Sequence, residues 1–313
     1  MRTMAGQSSA GSAEEAKPGA ETPRARSNWA WVEAAIWTER MLSALENGVK
    51  GGKRYSLIDK VWAPATLELA WKKVQANKGA AGVDPLQRDR VARVAAEAGV
   101  SAEVLHFDTG SGLMLARYLD GCVTMSPELF KSRLGAPARA AEVLKRMHGC
   151  GREFRFRFEL FAMIDEYLGL LAKLEAPLPD GYHEVVTEAG AVRQALDATP
   201  ATLVPCHCDP LSENFLDDGA RMWIVDWEYS GMNDPLWDLG DVSVEAGFDA
   251  DQDRAMLEAY CGGEPGAALV GRMVIYKAMC DLLWTLWGLI QFANQNPVDD
   301  FWAYSVTRFE RCK

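Results

Sequence analysis

The sequence predicts an α+β fold in which a few short strands are set among many helices. Two turn signals support this assignment. Thr109-Gly110-Ser111-Gly112 separates the apolar runs VLHFD and LMLARYL, and Asp217-Asp218-Gly219 separates NFL from MWIVDW. Turns of this composition between β-forming runs are typical of hairpins. Much of the remaining sequence from residue 90 onward has the apolar spacing of amphipathic helices.

The bulk composition is that of a globular protein. The 313 residues are enough for one large domain or two ordinary ones. Hydrophobic residues make up 49% and charged residues 25%, which leaves ample apolar material for a core. No run of about 18 apolar residues is free of charge, so we expect no membrane span. No apolar N-terminal segment precedes a cleavage signal, so we expect no secretory signal.

Cysteine usage indicates the compartment, and the net charge argues against a nucleic-acid partner. Seven cysteines, an odd number at irregular spacing, argue against a disulfide framework and for a reducing compartment, so we predict a cytoplasmic protein. The formal net charge of −11 gives no support for a nucleic-acid-binding surface. The sequence does not predict the oligomeric state.

The charge also divides the chain into two unlike pieces. Residues 1–87 hold 12 basic and 9 acidic residues, whereas the remainder is strongly acidic and holds all seven cysteines. Residues 1–27 are rich in small and polar residues and are predicted to be disordered. Residues 28–87 contain two helical patterns, from about Trp29 to Asn47 and from about Thr66 to Gly79, and are predicted to form a helical leader.

The wording of this leader is specific: WTERMLSALENGVKGGKRYSLIDKVWAPATLELAWKKVQANKGAAGVD. It resembles the N-terminal segment of a group II intron reverse transcriptase/maturase over about fifty residues. The chain has no YADD-type metal-binding sequence, so the resemblance implies a fused leader and not a working polymerase. An unrelated pair of helices is the alternative.

From residue 88 onward the elements can be predicted in order. A helix over Arg90–Gly99 is followed by the hairpin around Thr109–Gly112. This turn is not expected to bind phosphate, because it joins two strands and no Gly-Lys-Ser/Thr sequence follows it. Further helices are predicted at Ser126–Leu134, Pro137–His148, Phe158–Leu174 and His183–Thr199, with later ones containing MCDLLWTLWGLIQ and FWAYSVTRFERC.

Polar residues cluster around the second hairpin. His207–Asn214 is predicted to be a loop that enters the hairpin, and Asp226 lies at the far end of its second strand. Phosphoryl transfer needs a carboxylate to orient a hydroxyl and accept its proton, and oxygen ligands to hold Mg²⁺. Asp209 fits the first role, and Asn214 and Asp226 fit the second. The alternative is a solvated polar turn.

The spacing His-x-Asp-x4-Asn, followed by Ile-Val-Asp, resembles the catalytic loop and metal-binding strand of kinase-like phosphotransferases. Residues of about 90–313 resemble the choline/ethanolamine kinase branch of the aminoglycoside-phosphotransferase family. The resemblance implies ATP as cosubstrate, with Asp209 as base, His207 as a brace for the loop, and Asn214 and Asp226 as magnesium ligands. It also implies a hinge that contacts ATP at Tyr118-Leu119-Asp120.

The acceptor site is the more specific part of this resemblance. Trp284 and Trp287 are three residues apart and share a helix face. Together with Tyr304, Tyr229 and Glu245 they match positions that surround the ammonium group in choline kinases. Such a group lacks an N–H donor and is held by aromatic faces and a nearby carboxylate. The alternative is that the two tryptophans are ordinary core residues.

Four neighbouring positions are given no chemical role. Asp238 and Asp241 are expected to order loops instead of binding ligands, and the resemblance implies a structural role for Asp238. Cys208 stands where the family commonly has Asn or Gly, and Pro210 stands where it commonly has Leu. We expect these two differences to adjust the loop and not to remove its chemistry.

The resemblance further implies a two-lobed protein-kinase-like fold with a mostly helical C-terminal lobe, residues 121–313. Residues 88–120 would be the remnant of a truncated N-terminal lobe, because the nucleotide-covering loop and the phosphate-binding lysine are not found. The helix glutamate that pairs with that lysine would fall near Arg88.

We therefore predict an ATP- and Mg²⁺-dependent kinase for a small amino alcohol, most simply choline or ethanolamine. Two alternatives stay open: a kinase for aminoglycosides or other small alcohols, and an inactive fusion that keeps only a site for choline-like cations. An RNA-binding fragment is not favoured, since residues 1–87 carry only a small positive charge.

Overall fold

A computed structural model describes residues 85–110 and 112–313. The predicted disordered segment 1–27 and almost all of the predicted leader 28–87, with its maturase resemblance, lie outside the described residues. Elements are numbered from the first described one, and α1 (Pro85–Glu97) begins five residues earlier than the helix predicted at Arg90.

The first half of the described chain begins with α1 and a hairpin and continues mainly as helices. Its further elements are β1 (Val104–Asp108), β2 (Leu113–Ala116), β3 (Val123–Thr124), α2 (Pro127–Ser132), α3 (Ala136–His148), α4 (Leu160–Leu174) and α5 (Tyr182–Ala198). The four helices predicted here are confirmed to within two residues at each end.

The second half contains the polar hairpin and a helical bundle. Its elements are β4 (Val204–Cys206), a 3-10 turn (Ser212–Asn214), β5 (Phe215–Asp217), β6 (Met222–Ile224), β7 (Gly231–Asn233), α6 (Pro235–Ala246), α7 (Ala250–Cys261), α8 (Ala267–Ala293) and α9 (Phe301–Cys312). The predicted α+β class is therefore confirmed, and the C-terminal part is mostly helical.

The described residues form three small antiparallel sheets. β1 pairs with β2, β3–β5–β6 form the second sheet, and β4 pairs with β7. The β5–β6 hairpin closes as predicted: Asp218 Oδ1 accepts hydrogen bonds of 2.8 Å from the N–H groups of Ala220 and Arg221. Gly219 has φ of 92°, a left-handed conformation that glycine adopts without steric cost.

Several elements were not predicted. β3 and β7 have only two and three residues, and each depends on pairing with a strand far along the chain. α6 is buried around most of its circumference, so it lacks the polar stripe that marks a surface helix. α7 begins at a capping box in which Asp249 and Gln252 exchange hydrogen bonds.

The core of the described region surrounds α8. This 27-residue helix packs against α4, α6 and α9. It is the one helix of the described part that is long and apolar enough to cross a membrane. Of its most apolar 18-residue stretch, 72% is buried inside the protein. All seven cysteines lie in the described part of the chain and are free, in agreement with the absence of a disulfide framework.

Candidate active site

The loop between β4 and β5 is held in place by α6. The backbone N–H groups of His207 and Cys208 donate hydrogen bonds of 2.7 and 2.9 Å to the two carboxylate oxygens of Asp238. Trp237 Nε1 donates to the carbonyl of Cys208 at 3.1 Å. Cys208 has φ of 71°, which is unfavourable for a non-glycine residue, and these surrounding bonds keep it there. The loop that carries Asp209 is thus rigidly positioned.

His207 joins this loop to the strand that follows it. Its ring is fully buried, lies 4.8 Å from the ring of Trp227, and pairs through Nε2 with the carbonyl of Val225 at 2.9 Å. Burial lowers the pKa of His207, so the neutral ring is favoured at neutral pH. These contacts support the predicted role as a brace for the loop.

Asp209 lies among several carboxylates. Burial raises its pKa to about 7, and the charges of Glu245 and Asp226 act in the same direction, while Arg308 opposes them. A carboxyl group surrounded by other carboxylates holds its proton more tightly than an exposed one. Asn214 Nδ2 donates to the backbone carbonyl of Asp209 at 3.1 Å, which fixes the two residues relative to each other.

Asn214 and Asp226 supply hard oxygen donors beside Asp209. The side-chain amide nitrogen of Asn214 is turned toward the loop. The backbone carbonyl of Asn214 accepts a hydrogen bond of 2.9 Å from the N–H of Val225. β6 ends at Ile224, two residues before Asp226, whose side chain is exposed and whose φ is 66°. An amide oxygen and a carboxylate suit Mg²⁺, which prefers oxygen ligands, so this donor set fits the predicted ion.

A cavity of about 200 Å³ lies between the β1–β2 hairpin and the residues that follow β6. Val104, Phe107 and Met114 form part of its apolar wall, while Asp226, Glu228 and Arg88 form a charged end. The cavity is therefore amphipathic, as a site for a nucleotide would be.

The predicted hinge lies in the link between β2 and β3. Ala116, the last residue of β2, lines the cavity, but none of Tyr118, Leu119 and Asp120 is among the described residues that do so. Tyr118 is 85% exposed. Contact of these three residues with ATP stays a prediction.

The predicted aromatic residues form a chain of nearly perpendicular rings. Centroid distances and interplanar angles are 6.3 Å and 86° for Tyr229 and Trp284, 6.0 Å and 85° for Trp284 and Trp287, and 6.0 Å and 73° for Trp287 and Tyr304. Trp284 is buried in the core, whereas the other three rings are half-buried. We call these four residues the aromatic cluster.

Glu245 is held beside this cluster by a buried arginine that sequence reasoning missed. Arg308 Nη2 lies 2.5 Å from Glu245 Oε1, and its guanidinium carbon lies 4.8 Å from the centre of the Tyr304 ring. Arg308 Nη1 also contacts Asp281 at 3.3 Å. A basic residue one turn after Tyr304 in the same helix was the available signal.

Asp241, which was expected to order a loop, is a further neighbour of the site. It is fully buried, and the thiol of Cys280 lies 3.1 Å from its Oδ1 atom. Burial raises the pKa of Asp241 well above its usual range, and the charges of Glu245 and Asp209 add to this effect. These effects all favour the protonated form of Asp241.

Comparisons with known proteins identify the family of this chain. A family model for the phosphotransferase enzyme family, APH, matches residues 79–270, which defines the class as a kinase-like phosphotransferase. The crystal structure of a choline/ethanolamine kinase family protein from Mesorhizobium loti is 63% identical, with a TM-score of 0.72 over 74% of this chain and 79% of that one. The chain therefore belongs to the APH phosphotransferases and, among them, to the choline/ethanolamine kinase family.

Two more distant proteins are also similar to this chain. Protein LicA of Haemophilus influenzae is 26% identical over 224 residues, which are 68% of this chain and 63% of LicA. The chain thus spans less than two thirds of that relative. The structure of the choline kinase LicA from Streptococcus pneumoniae is 24% identical, with a TM-score of 0.61 over 74% of this chain and 79% of that one, and shows the common fold.

Proposed function

We propose that this protein uses ATP and Mg²⁺ to phosphorylate the hydroxyl group of a small amino alcohol, choline or ethanolamine. The observation that carries this proposal is the position of Asp209 between two kinds of site. Asp226 at the charged end of the cavity and Glu245 beside the aromatic cluster both act electrostatically on Asp209. A carboxylate near both can direct an acceptor hydroxyl toward a nucleotide phosphate.

Asp209 is the proton acceptor in this proposal. Its raised pKa makes it a stronger base than an exposed aspartate at neutral pH, as general-base catalysis requires. Asn214 and Asp226 would hold the metal ion through their side-chain oxygens, and His207 would brace the loop. When bound, a magnesium–nucleotide complex supplies the phosphoryl group and offsets the charge on its oxygens.

The aromatic cluster is the proposed site of the acceptor's ammonium group. Ring faces attract a quaternary ammonium by about 0.5–2 kcal/mol each, without needing a hydrogen bond from it. Glu245 is already paired with Arg308, so its negative charge is partly compensated within the protein. Recognition of choline would therefore depend mainly on Tyr229, Trp284, Trp287 and Tyr304.

The cavity beside β1 and β2 is the proposed site of the nucleotide. Its apolar wall would contact the base, the link at Tyr118-Leu119-Asp120 would border it, and its charged end would face the phosphates. The free cysteines are consistent with the proposed cytoplasmic location. We propose no nucleic-acid partner.

A coupled assay of ADP release with choline, ethanolamine and kanamycin tests the function. We expect turnover with choline or ethanolamine, and a loss of at least about a hundredfold in kcat for Asp209→Asn. Glu213→Gln is the matched control, because Glu213 is exposed on the same loop. Circular dichroism should show that both variants are folded.

The remaining outcomes separate the alternatives. Preferred turnover of kanamycin would support an aminoglycoside kinase. Binding of choline in a calorimeter, without turnover of any acceptor, would support an inactive cation-binding fusion. Full activity of Asp209→Asn would refute the proposed base.

A further inference from the structure

The charged end of the proposed nucleotide cavity includes a positively charged side chain, that of Arg88. Arg88 lies in the first turn of α1 and lines the cavity together with Asp226 and Glu228. Among the described residues that line this cavity, Arg88 is the only basic one. A positive group at this place faces the end where the proposed function puts the nucleotide phosphates.

The guanidinium of Arg88 is weakly engaged by the protein. Its Nε atom is buried and has no hydrogen-bond partner in the described part of the chain. Its ion pair with Glu228 spans 4.0 Å between Nη2 and Oε2, and the two side chains are 41% and 46% exposed. Ion pairs this long and this exposed contribute little, and a buried N–H without an acceptor is unfavourable.

We propose that Arg88 binds the phosphate oxygens of the nucleotide, an inference that rests on the proposed function. A guanidinium presents its N–H donors in a planar fork that matches a phosphate. Phosphate oxygens would supply the acceptor that Nε lacks. Arg88 would thus provide the positive charge that a phosphate-binding lysine, which is not found in this sequence, provides in the family.

Calorimetric binding of adenosine, ADP and ATP tests this assignment directly. Arg88→Ala is expected to bind ATP about ten- to a hundredfold more weakly than wild type, because charge-assisted hydrogen bonds to phosphate are lost. Its affinity for ADP should fall less, and its affinity for adenosine should not change. Arg88→Lys should bind ATP with intermediate affinity, since it keeps the charge but not the fork. Arg90→Ala is the matched control, because Arg90 is exposed on the same helix and donates to the carbonyl of Glu153 at 3.2 Å.

Three results would overturn the inference. One is unchanged ATP affinity in Arg88→Ala. Another is an equal loss of affinity for adenosine and ATP, which would indicate a structural role. The third is a wild-type protein that binds no nucleotide. If ATP binding depends on Arg88 but no acceptor is phosphorylated, the proposed role of Arg88 is supported and the proposed function is refuted.

Discussion

The carboxylate of Asp238 accepts a 2.7 Å hydrogen bond from the backbone N–H of His207, thirty-one residues earlier in the chain. The same carboxylate accepts from Cys208, and its Oδ2 atom lies 3.0 Å from Nε2 of His148. Tyr260 contacts the other nitrogen of His148 at 2.8 Å. Helices α3, α6 and α7 therefore meet at the loop that carries Asp209.

Replacement of Asp238 should damage both stability and rate. Asp238→Ala leaves two buried N–H groups without an acceptor, which costs about 1–3 kcal/mol for each. Movement of the loop by an ångström would lower kcat about a hundredfold. Urea unfolding and the coupled assay measure these effects. Asp197→Ala, at an exposed position on α5, is the control and should change neither the stability nor kcat. A fully active Asp238→Ala variant would contradict the role of Asp238 in positioning the loop.

Trp287 should determine the affinity for a quaternary ammonium. Its ring contacts Trp284, Tyr304 and Phe301 at right angles. Trp287→Ala is expected to weaken choline binding about two- to thirtyfold, the equivalent of one lost cation–π contact, and to leave the KM for ATP unchanged. Calorimetry with choline checks the first effect.

Trp302→Ala is the matched control for this prediction. Trp302 is also half-buried, but its ring contacts Phe292 at 5.4 Å and lies outside the aromatic cluster. Equal choline affinities for wild type and Trp287→Ala would assign Trp287 to the core alone.

Gly288 allows α8 and α9 to approach closely. A Cβ atom at this position would lie 2.4 Å from Ser305 Oγ and 2.8 Å from Tyr304 Cδ1. Gly288→Ala should therefore lower the free energy of unfolding by about 1–3 kcal/mol and weaken choline binding, because Tyr304 must move. Thermal unfolding and calorimetry measure the two effects.

Gly190→Ala provides the comparison for Gly288. Gly190 lies in α5, and nothing lies within 4 Å of its would-be Cβ atom. Because alanine favours a helix interior, Gly190→Ala should stabilise the protein by about 0.5–1 kcal/mol. Similar effects of the two substitutions would show that close packing at Gly288 is unimportant.

Asp217 should make stability depend on pH. Its fully buried carboxylate accepts hydrogen bonds from Arg133 Nε at 2.7 Å and from Arg139 Nε and Nη2 at 2.9 and 2.7 Å. Burial alone would raise the pKa of Asp217, but bonds from Arg139, Gly219 and Arg133 outweigh it and lower the pKa. The stabilisation is therefore complete above the unfolded-state pKa of about 4 and disappears as pH falls through the folded-state pKa.

Asp217→Asn should thus be less stable than wild type by about 3–5 kcal/mol at pH 7, as for other buried ion pairs that lose one partner. The difference should shrink as the pH is lowered below about 4. Urea unfolding at several pH values measures it. Asp197→Asn, at an exposed position, should change the stability little at pH 7. A difference between Asp217→Asn and wild type that did not shrink at low pH would contradict the prediction.

Much of the site could be predicted because its signals are local. The turn at Asp217–Gly219 and the apolar strands on either side identify a hairpin from adjacent residues alone. The three-residue spacing of Trp284 and Trp287 identifies a shared helix face in the same way. The motif from His207 to Asp226 thus indicated a phosphotransferase before its geometry was known, and the family match agrees.

The sequence by itself determined the α+β class, the hairpins and most helix boundaries, because turn chemistry and apolar periodicity act over a few residues. Only the tertiary structure decided that Arg308 pairs with Glu245, that Asp238 binds the backbone N–H groups of His207 and Cys208, and that Arg88 lines the cavity. These partners are far apart in sequence or lie on different elements. Their contacts arise when buried charges and backbone N–H groups must find partners in the folded protein, and sequence spacing does not encode this requirement.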